Sequence, residues 1–219
     1  MKIKGVITGD IIQSTRKKPE NKQLVLDTIR NTVYEMEKWS KMKLEIFRGD
    51  SFQIVIDNPY EAVRIAILIR AGLQKSTPEG SEIKWDARLA LGLGSVNFSQ
   101  EESVTESDGE AFRNSGWEFD ELGKRKLAIR TPWQNMNDEL KVSTAFADDI
   151  VSEWSVAQAQ AIYASLIHSK TQKEIAADLN TSPQNISKRI IAGKEYLIRP
   201  YLDRCKQIIT AKIQTDGIK

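Results

Sequence analysis

The chain has 219 residues, of which 40% are apolar and 28% charged, and its formal net charge is +2. This composition predicts a soluble globular protein with one large domain or two smaller ones. A single cysteine and a single histidine exclude a disulfide framework, a cysteine-based zinc cluster and a multi-histidine metal site. Any metal chemistry must then rest on carboxylates, which suit Mg²⁺ or Mn²⁺. With no signal peptide or membrane-spanning run apparent, we expect a cytoplasmic protein.

The predicted elements of the first 135 residues alternate between strands and helices. Periodicity and turn residues predict strands at 3–9, 43–56 (a hairpin of two), 83–96 and 126–130, and helices at 21–41, 60–74 and 109–122. The strand at 83–96 alternates apolar and polar residues, as a half-buried strand does. The order predicts the α+β class, with a ferredoxin-like βαββαβ arrangement and additions.

The character of the sequence changes after Pro132, and from Asp138 onward every segment is predicted to be helical. We therefore predict an α+β domain at 1–135, a linker or connecting helix at 136–155 and an all-α domain at 156–219. From Val156 to the end there are ten Lys or Arg and five Asp or Glu. A basic tail behind a mildly acidic body favours a nucleic-acid contact confined to the tail.

Residues 171–190 (TQKEIAADLNTSPQNISKRI) predict two short helices joined by a tight turn. Thr171 and Glu174 form a capping box, and Ser182 caps a second helix that begins at Pro183. Such a pair is what a helix-turn-helix requires, although an ordinary helical hairpin with a solvated polar face is the alternative. The candidate DNA-binding residues are Gln172, Ser182, Gln184, Asn185, Ser187, Lys188 and Arg189.

The phrase QKEIAADLNTSPQNIS resembles the helix-turn-helix of many bacterial regulators, including the last region of sigma factors. That resemblance implies double-stranded DNA as a partner.

Two acidic residues lie at the ends of predicted strands. Asp10 follows the apolar run IKGVITG, and Asp50 lies in the turn of the hairpin. The first and third strands of a split βαβ sheet are neighbours, so these carboxylates can converge. Convergent carboxylates repel each other, and a divalent cation offsets that repulsion. A second interpretation is that both are ordinary Gly-Asp turn residues.

Four segments resemble class III nucleotidyl cyclases in the family's order: GDIIQST (9–15), FRGDSFQ (47–53), ARLALGLGSV (87–96) and DGEAFRNSG (108–116). The resemblance implies a metal site formed by Asp10, Asp50 and the backbone carbonyl of Ile11. It also implies nucleotide contacts at Glu106, Arg113 and Asn114. A cyclase-like domain followed by a helix-turn-helix further resembles the small SatD family of bacterial proteins. The cyclase resemblance and the helix-turn-helix resemblance each imply a homodimer.

The resemblance breaks at three positions that matter for catalysis in the cyclases. Ile46 stands where the family selects its purine, Arg113 where it has a ribose-orienting asparagine, and Trp117 where it has a transition-state arginine. Loss of that cation removes a large electrostatic contribution to phosphoryl transfer. Our main prediction is therefore a DNA-binding transcriptional regulator and not an enzyme. Its cyclase-like domain would sense a metal or a nucleotide, or would serve for dimerisation. The alternative is a divalent-metal-dependent, cyclase-like nucleotide-processing enzyme with an accessory DNA-binding domain.

Overall fold

The structure is a computed structural model that describes residues 2–13, 19–47, 49–97, 108–168 and 170–216. It contains one mixed sheet whose strand order is β2-β3-β1-β4-β5, with β6 pairing to β4 beside β5. Only the β4–β6 pair is parallel. The strands are β1 (Ile3–Ile11), β2 (Met42–Phe47), β3 (Ser51–Ile56), β4 (Ala87–Asn97), β5 (Asp108–Gly109) and β6 (Leu127–Arg130).

Eight α-helices lie in the described residues, together with a short 3-10 turn at Pro59–Glu61 before α2. They are α1 (Pro19–Met36), α2 (Ala62–Lys75), α3 (Glu110–Asp120), α4 (Gln134–Glu153), α5 (Val156–His168), α6 (Gln172–Asp178), α7 (Pro183–Ala192) and α8 (Glu195–Asp216). The mixed α/β architecture agrees with the predicted class. No helix in the described part of the chain is long and apolar enough to cross a membrane.

Strand β4 differs from its prediction as a half-buried strand. It starts at Ala87 instead of residue 83, and nearly every side chain from Ala87 to Gly94 is buried. The reason is that both faces of the sheet are covered. Ile7 belongs to the main core beneath α1 and α2, whereas Val6 packs with Ala111 of α3 on the opposite face.

Helix α3 approaches β4 closely because of a glycine. A Cβ placed on Gly92 would overlap two backbone atoms of α3, the carbonyl oxygen of Ala111 and the amide nitrogen of Ser115. Backbone atoms cannot swing aside as a flexible side chain does, so any larger residue must push the helix away from the sheet. Gly92 therefore sets the distance between α3 and the sheet.

The main hydrophobic core continues from the sheet into the C-terminal helices. The cluster that contains Ile7 also contains Trp154 at the end of α4, Ile162 of α5 and Ile198 of α8. Trp154 is 1% exposed, and its indole Nε1 donates to the carbonyl of Gly193 at 2.6 Å. The indole thus packs in the core and connects the end of α4 to the turn before α8.

A buried ion cluster joins α2, the start of β4 and α4. Arg70 is fully buried, donates to both carboxylate oxygens of Asp86 at 2.9 and 2.8 Å, and donates to Asp148 Oδ1 at 2.6 Å. The other oxygen of Asp148 accepts from the amide of Lys126 at 2.8 Å. Burial alone would raise the pKa of Asp86, but the charge and hydrogen bonds of Arg70 outweigh it and hold the pKa below its ordinary value.

We expect Gly92→Ala to lower the free energy of unfolding by about 3 kcal/mol, because the added methyl overlaps the backbone of α3. The matched control is Gly116→Ala on α3, where a Cβ meets nothing within 4 Å. That change should stabilise the protein by roughly 0.5–1 kcal/mol through helix propensity. Urea denaturation of both variants checks the pair, and equal midpoints for the two would contradict the close contact.

We expect Arg70→Met to lower the free energy of unfolding at pH 7 by about 3–5 kcal/mol, because two buried carboxylates lose their cation. The pKa of Asp86 is depressed in the folded protein. Its contribution to the free energy of unfolding is therefore complete above its ordinary pKa of 3.8, and it is lost as the pH falls through the lower folded-state pKa. The difference between the wild type and the variant should shrink as the pH falls, because burial raises the pKa of Asp86 once Arg70 is gone and the variant takes up a proton that the wild type does not. Denaturation at a series of pH values measures it, and a constant difference would argue against the ion cluster.

Candidate metal and nucleotide site

The strand register brings Asp10 and Asp50 together at one end of the sheet. Asp10 lies opposite Ser51 in the β1–β3 ladder, so Asp50 is the next residue beyond its partner. The ladder closes with a hydrogen bond from the amide of Ile11 to the carbonyl of Asp50 at 3.0 Å. The backbones of the two acidic residues are therefore neighbours at the ends of β1 and β3.

Asp50 lies in the turn between β2 and β3. Gly49 has a φ of +79°, a conformation that glycine adopts without strain, and the amide of Asp50 donates to the carbonyl of Phe47 at 3.3 Å. The ammonium group of Lys22 from α1 lies over this turn, 2.9 Å from the position that a Cβ of Gly49 would occupy. A cation from α1 is therefore next to the second acidic residue.

A second cation, Arg88, binds Asp10 directly. The two residues are opposite each other in the β1–β4 ladder. Arg88 donates to the Asp10 carboxylate through Nε at 3.0 Å and Nη2 at 2.6 Å, and these bonds raise the pKa of Arg88. The side chains are 40% and 26% exposed, so water screens the pair and its contribution to stability is small. An exposed, paired guanidinium can exchange one anion for another.

The donor set suits a hard divalent cation. Two carboxylates and a backbone carbonyl are oxygen ligands, and Mg²⁺ typically takes one or two carboxylates and keeps several waters. The described residues contain no group of three or more His, Cys, Asp or Glu that could hold a metal. An ion here would thus have open positions for water or for phosphate oxygens.

Two of the predicted nucleotide-binding residues, Arg113 and Asn114, lie on α3 and hydrogen-bond to residues other than Arg88, Asp10 and Asp50. Asn114 is buried and donates from Nδ2 to the carbonyl of Leu93 at 2.8 Å. Leu93 is five residues along β4 from Arg88, about 17 Å at the usual strand rise. Arg113 donates to Asp108 at 2.8 Å, near the far end of β4. Glu106 lies outside the described residues.

The predicted DNA-binding residues lie on α6, α7 and the turn between them. Thr171 and Glu174 form the expected capping box, and Ser182 accepts from the amide of Asn185 at 3.2 Å. The exposed members of the set are Gln172, Gln184, Asn185 and Lys188, and the half-buried ones are Ser182, Ser187 and Arg189. Asn185 also donates to Thr181 Oγ1 at 3.2 Å. Ser182 and Asn185 thus already serve the local fold of this segment.

Sequence reasoning missed both cations of the site. Arg88 is the one charged residue in the run ARLALGLG (87–94), and that isolated charge was a usable signal. Nothing local to Lys22 indicated its position, because its proximity to Gly49 depends on how α1 packs beside the hairpin.

No protein-family model and no curated protein matches the chain. Among solved structures it is similar to a bacterial light-regulated adenylyl cyclase, with 18% identity over 58% of this chain and 74% of that chain, at a TM-score of 0.41. It is also similar to the active GGEEF domain of a diguanylate cyclase from Vibrio cholerae, with 14% identity over 61% of this chain and 85% of that chain, at a TM-score of 0.40. These values are too low to transfer a residue role or a substrate.

The main prediction from the sequence, a DNA-binding transcriptional regulator that is not an enzyme, is contradicted by these neighbours, which are both cyclases. They agree better with the alternative, a nucleotide-processing enzyme. The prediction gave too much weight to the polar face of α7 and to the departures at Ile46, Arg113 and Trp117. It also overlooked the cations at the carboxylate site. The SatD and helix-turn-helix resemblances stay predictions.

If Arg88 competes with a metal ion for the Asp10 carboxylate, Arg88→Gln should tighten Mn²⁺ binding by about two- to fivefold, because the metal no longer has to break an exposed ion pair. Isothermal titration calorimetry measures the affinity. The matched control is Arg113→Gln, which removes an exposed arginine paired to Asp108 at the other end of β4. Weaker Mn²⁺ binding in Arg88→Gln than in the control would contradict competition for Asp10.

Proposed function

We propose that this chain is a divalent-metal-dependent, nucleotidyl-cyclase-like enzyme that processes a nucleoside triphosphate. The observation that carries the proposal is the juxtaposition of Asp10 and Asp50 by the hydrogen bond from Ile11 to the Asp50 carbonyl. Two carboxylates on adjacent strand ends, flanked by Arg88 and Lys22, form a site with both signs of charge. Binding a metal–triphosphate complex requires such a combination.

Asp10, Asp50 and the carbonyl of Ile11 would hold Mg²⁺ or Mn²⁺. Such an ion neutralises phosphate charge and orients the phosphoryl group for in-line displacement. The chain's own contribution would be to position the ligands: the β1–β3 register and the turn at Gly49 bring the backbone of Asp50 next to the end of β1.

Arg88 and Lys22 would bind the phosphates. Arg88 binds Asp10, and its guanidinium lies 5.4 Å from the ring centroid of Phe119. With Asp10 serving as a metal ligand, the planar guanidinium of Arg88 would be free to bind phosphate oxygens in the same bidentate manner. Arg88 would then supply the positive charge that the cyclase resemblance places at Trp117.

Several finer features belong to this proposal as predictions. The sheet domain at 1–135 would be ferredoxin-like and carry the site, and the helices of 156–219 would form a second unit. Arg113 and Asn114 lie on α3, whose Ser115 is hydrogen-bonded to Thr8, two residues from Asp10. Both would contact the nucleotide, as the cyclase resemblance implies.

We expect purified protein with Mn²⁺ to convert at least one of the four nucleoside triphosphates, with product detected by chromatography and by pyrophosphate release. Asp10→Asn and Asp50→Asn should each reduce Mn²⁺ affinity by about tenfold or more and abolish turnover, because each removes one of two charged ligands. Calorimetry and the turnover assay report the two effects separately.

The matched control is Asp57→Asn, since Asp57 follows the other end of β3 and pairs with Lys4 at 2.7 Å. This variant should retain both Mn²⁺ binding and turnover. Absence of product with all four nucleotides would refute the proposal of an enzyme. Unchanged Mn²⁺ affinity in Asp10→Asn would refute the metal site on its own.

A further inference from the structure

An apolar groove runs between α4 and α8, on helices that the proposed site does not use. It encloses about 500 Å³ and is lined mainly by carbon, including Leu140, Ile150, Ile198 and Ile208. Two large apolar side chains of its lining are exposed to solvent, Phe146 at 70% and Leu197 at 46%. An exposed apolar patch that combines protruding side chains with a groove is typical of a protein–protein interface.

The two helices run antiparallel, and three contacts fix which residues lie level with each other. Glu139 is ion-paired to Arg204 at 2.9 Å, and Thr144 is hydrogen-bonded to Tyr201 at 2.8 Å. At the other end Trp154 donates to Gly193. Phe146 on the α4 side is thus nearly level with Ile198 on the α8 side, and Asp149 with Leu197.

Charge is divided between the two sides of the groove. Its acidic lining residues, Glu139 and Asp149, are on α4. Its basic lining residues, Lys194 and Arg204, are on the α8 side. Asp149 and Lys194 are exposed and lie toward the same end. Glu139 and Arg204 already neutralise each other within the chain, so the lining charges left for a partner are Asp149 on α4 and Lys194 on the α8 side.

We propose that the α4–α8 groove binds a second copy of this chain, related by a two-fold axis along the groove. Such an axis places α4 of each copy over the α8 side of the other, so Asp149 of each copy meets Lys194 of the other copy. The same rotation packs Phe146 of each copy against Leu197 and Ile198 of the other copy. A second copy suits the groove because this one surface carries the protruding side chains, the apolar lining that can receive them, and charges of both signs. Two copies of such a surface complement each other.

This interface involves neither Asp10 nor Asp50, so the proposal stands or falls independently of the proposed enzyme activity. It assigns the expected homodimer to the helices following the sheet. Because truncating a central aromatic residue at an interface typically costs more than 1 kcal/mol, Phe146→Ser should raise the dimer dissociation constant by about tenfold or more.

The first test is sedimentation velocity on the full chain over a concentration series. The wild type should change from monomer to dimer, and Phe146→Ser should remain monomeric at concentrations where the wild type is dimeric. The matched control is Tyr34→Ser on α1, whose side chain is 75% exposed and does not line the groove. A monomeric wild type throughout, which would leave the groove to another partner, overturns the proposal. So does a dimer that Phe146→Ser leaves intact.

The second test uses the crossed charges. Asp149→Lys alone places like charges at both crossed contacts of the dimer, and so does Lys194→Glu alone, so each variant should dimerise more weakly than the wild type. Mixing the two variants restores opposite charges at both contacts, and the mixture should form a heterodimer close to wild-type affinity. A mixture that associates no better than its components overturns the two-fold arrangement. Circular dichroism melts establish that every variant is folded, and Mn²⁺ binding should be the same in all.

Discussion

A positive charge with no access to water lies where α2, the start of β4 and α4 meet. Arg70 cannot be neutralised by solvent, so its guanidinium depends on Asp86 and Asp148, and on Ser152, which accepts at 2.9 Å. Displacing any of these elements would leave a charge unpaired in a medium of low dielectric, which is far more costly than losing a surface contact. The position of α4 on the sheet is thereby determined. Lys84 reinforces it by donating to the carbonyls of Ser152 and Trp154 at the end of α4, at 2.8 and 2.5 Å.

The same cluster is next to the carboxylate site. The backbone carbonyl of Asp86 accepts from the amide of Ile12 at 3.0 Å, just beyond the end of β1. Two residues after Asp86 along the chain is Arg88, which holds Asp10. The buried cluster and the exposed ion pair thus both hold the end of β1 against the start of β4. Rigid support of this kind keeps catalytic or binding groups in position without a ligand.

The parts of the fold that local sequence describes were predictable. Apolar β-branched runs indicated β1 and the hairpin. The proximity of Asp10 and Asp50 along the backbone followed from the expectation that β1 and β3 are neighbours. Features that depend on distant partners were not predictable. Arg70 sits in an apolar helical run, and nothing nearby indicates Asp148, which is 78 residues away. The start of β4 was misplaced because Asp86 leaves the strand pattern to neutralise Arg70.

The pair between Arg88 and Asp10 also bears on how the protein behaves without a metal. Metal sites built only from carboxylates leave their mutual repulsion uncompensated when empty, and some small domains unfold on chelation for lack of any other support. Here a guanidinium already neutralises Asp10, and the backbone hydrogen bond from Ile11 to Asp50 needs no ion. We therefore expect the fold to hold when divalent cations are chelated. A cation bound at Asp10 would exchange one side-chain partner for another and would leave the backbone in place.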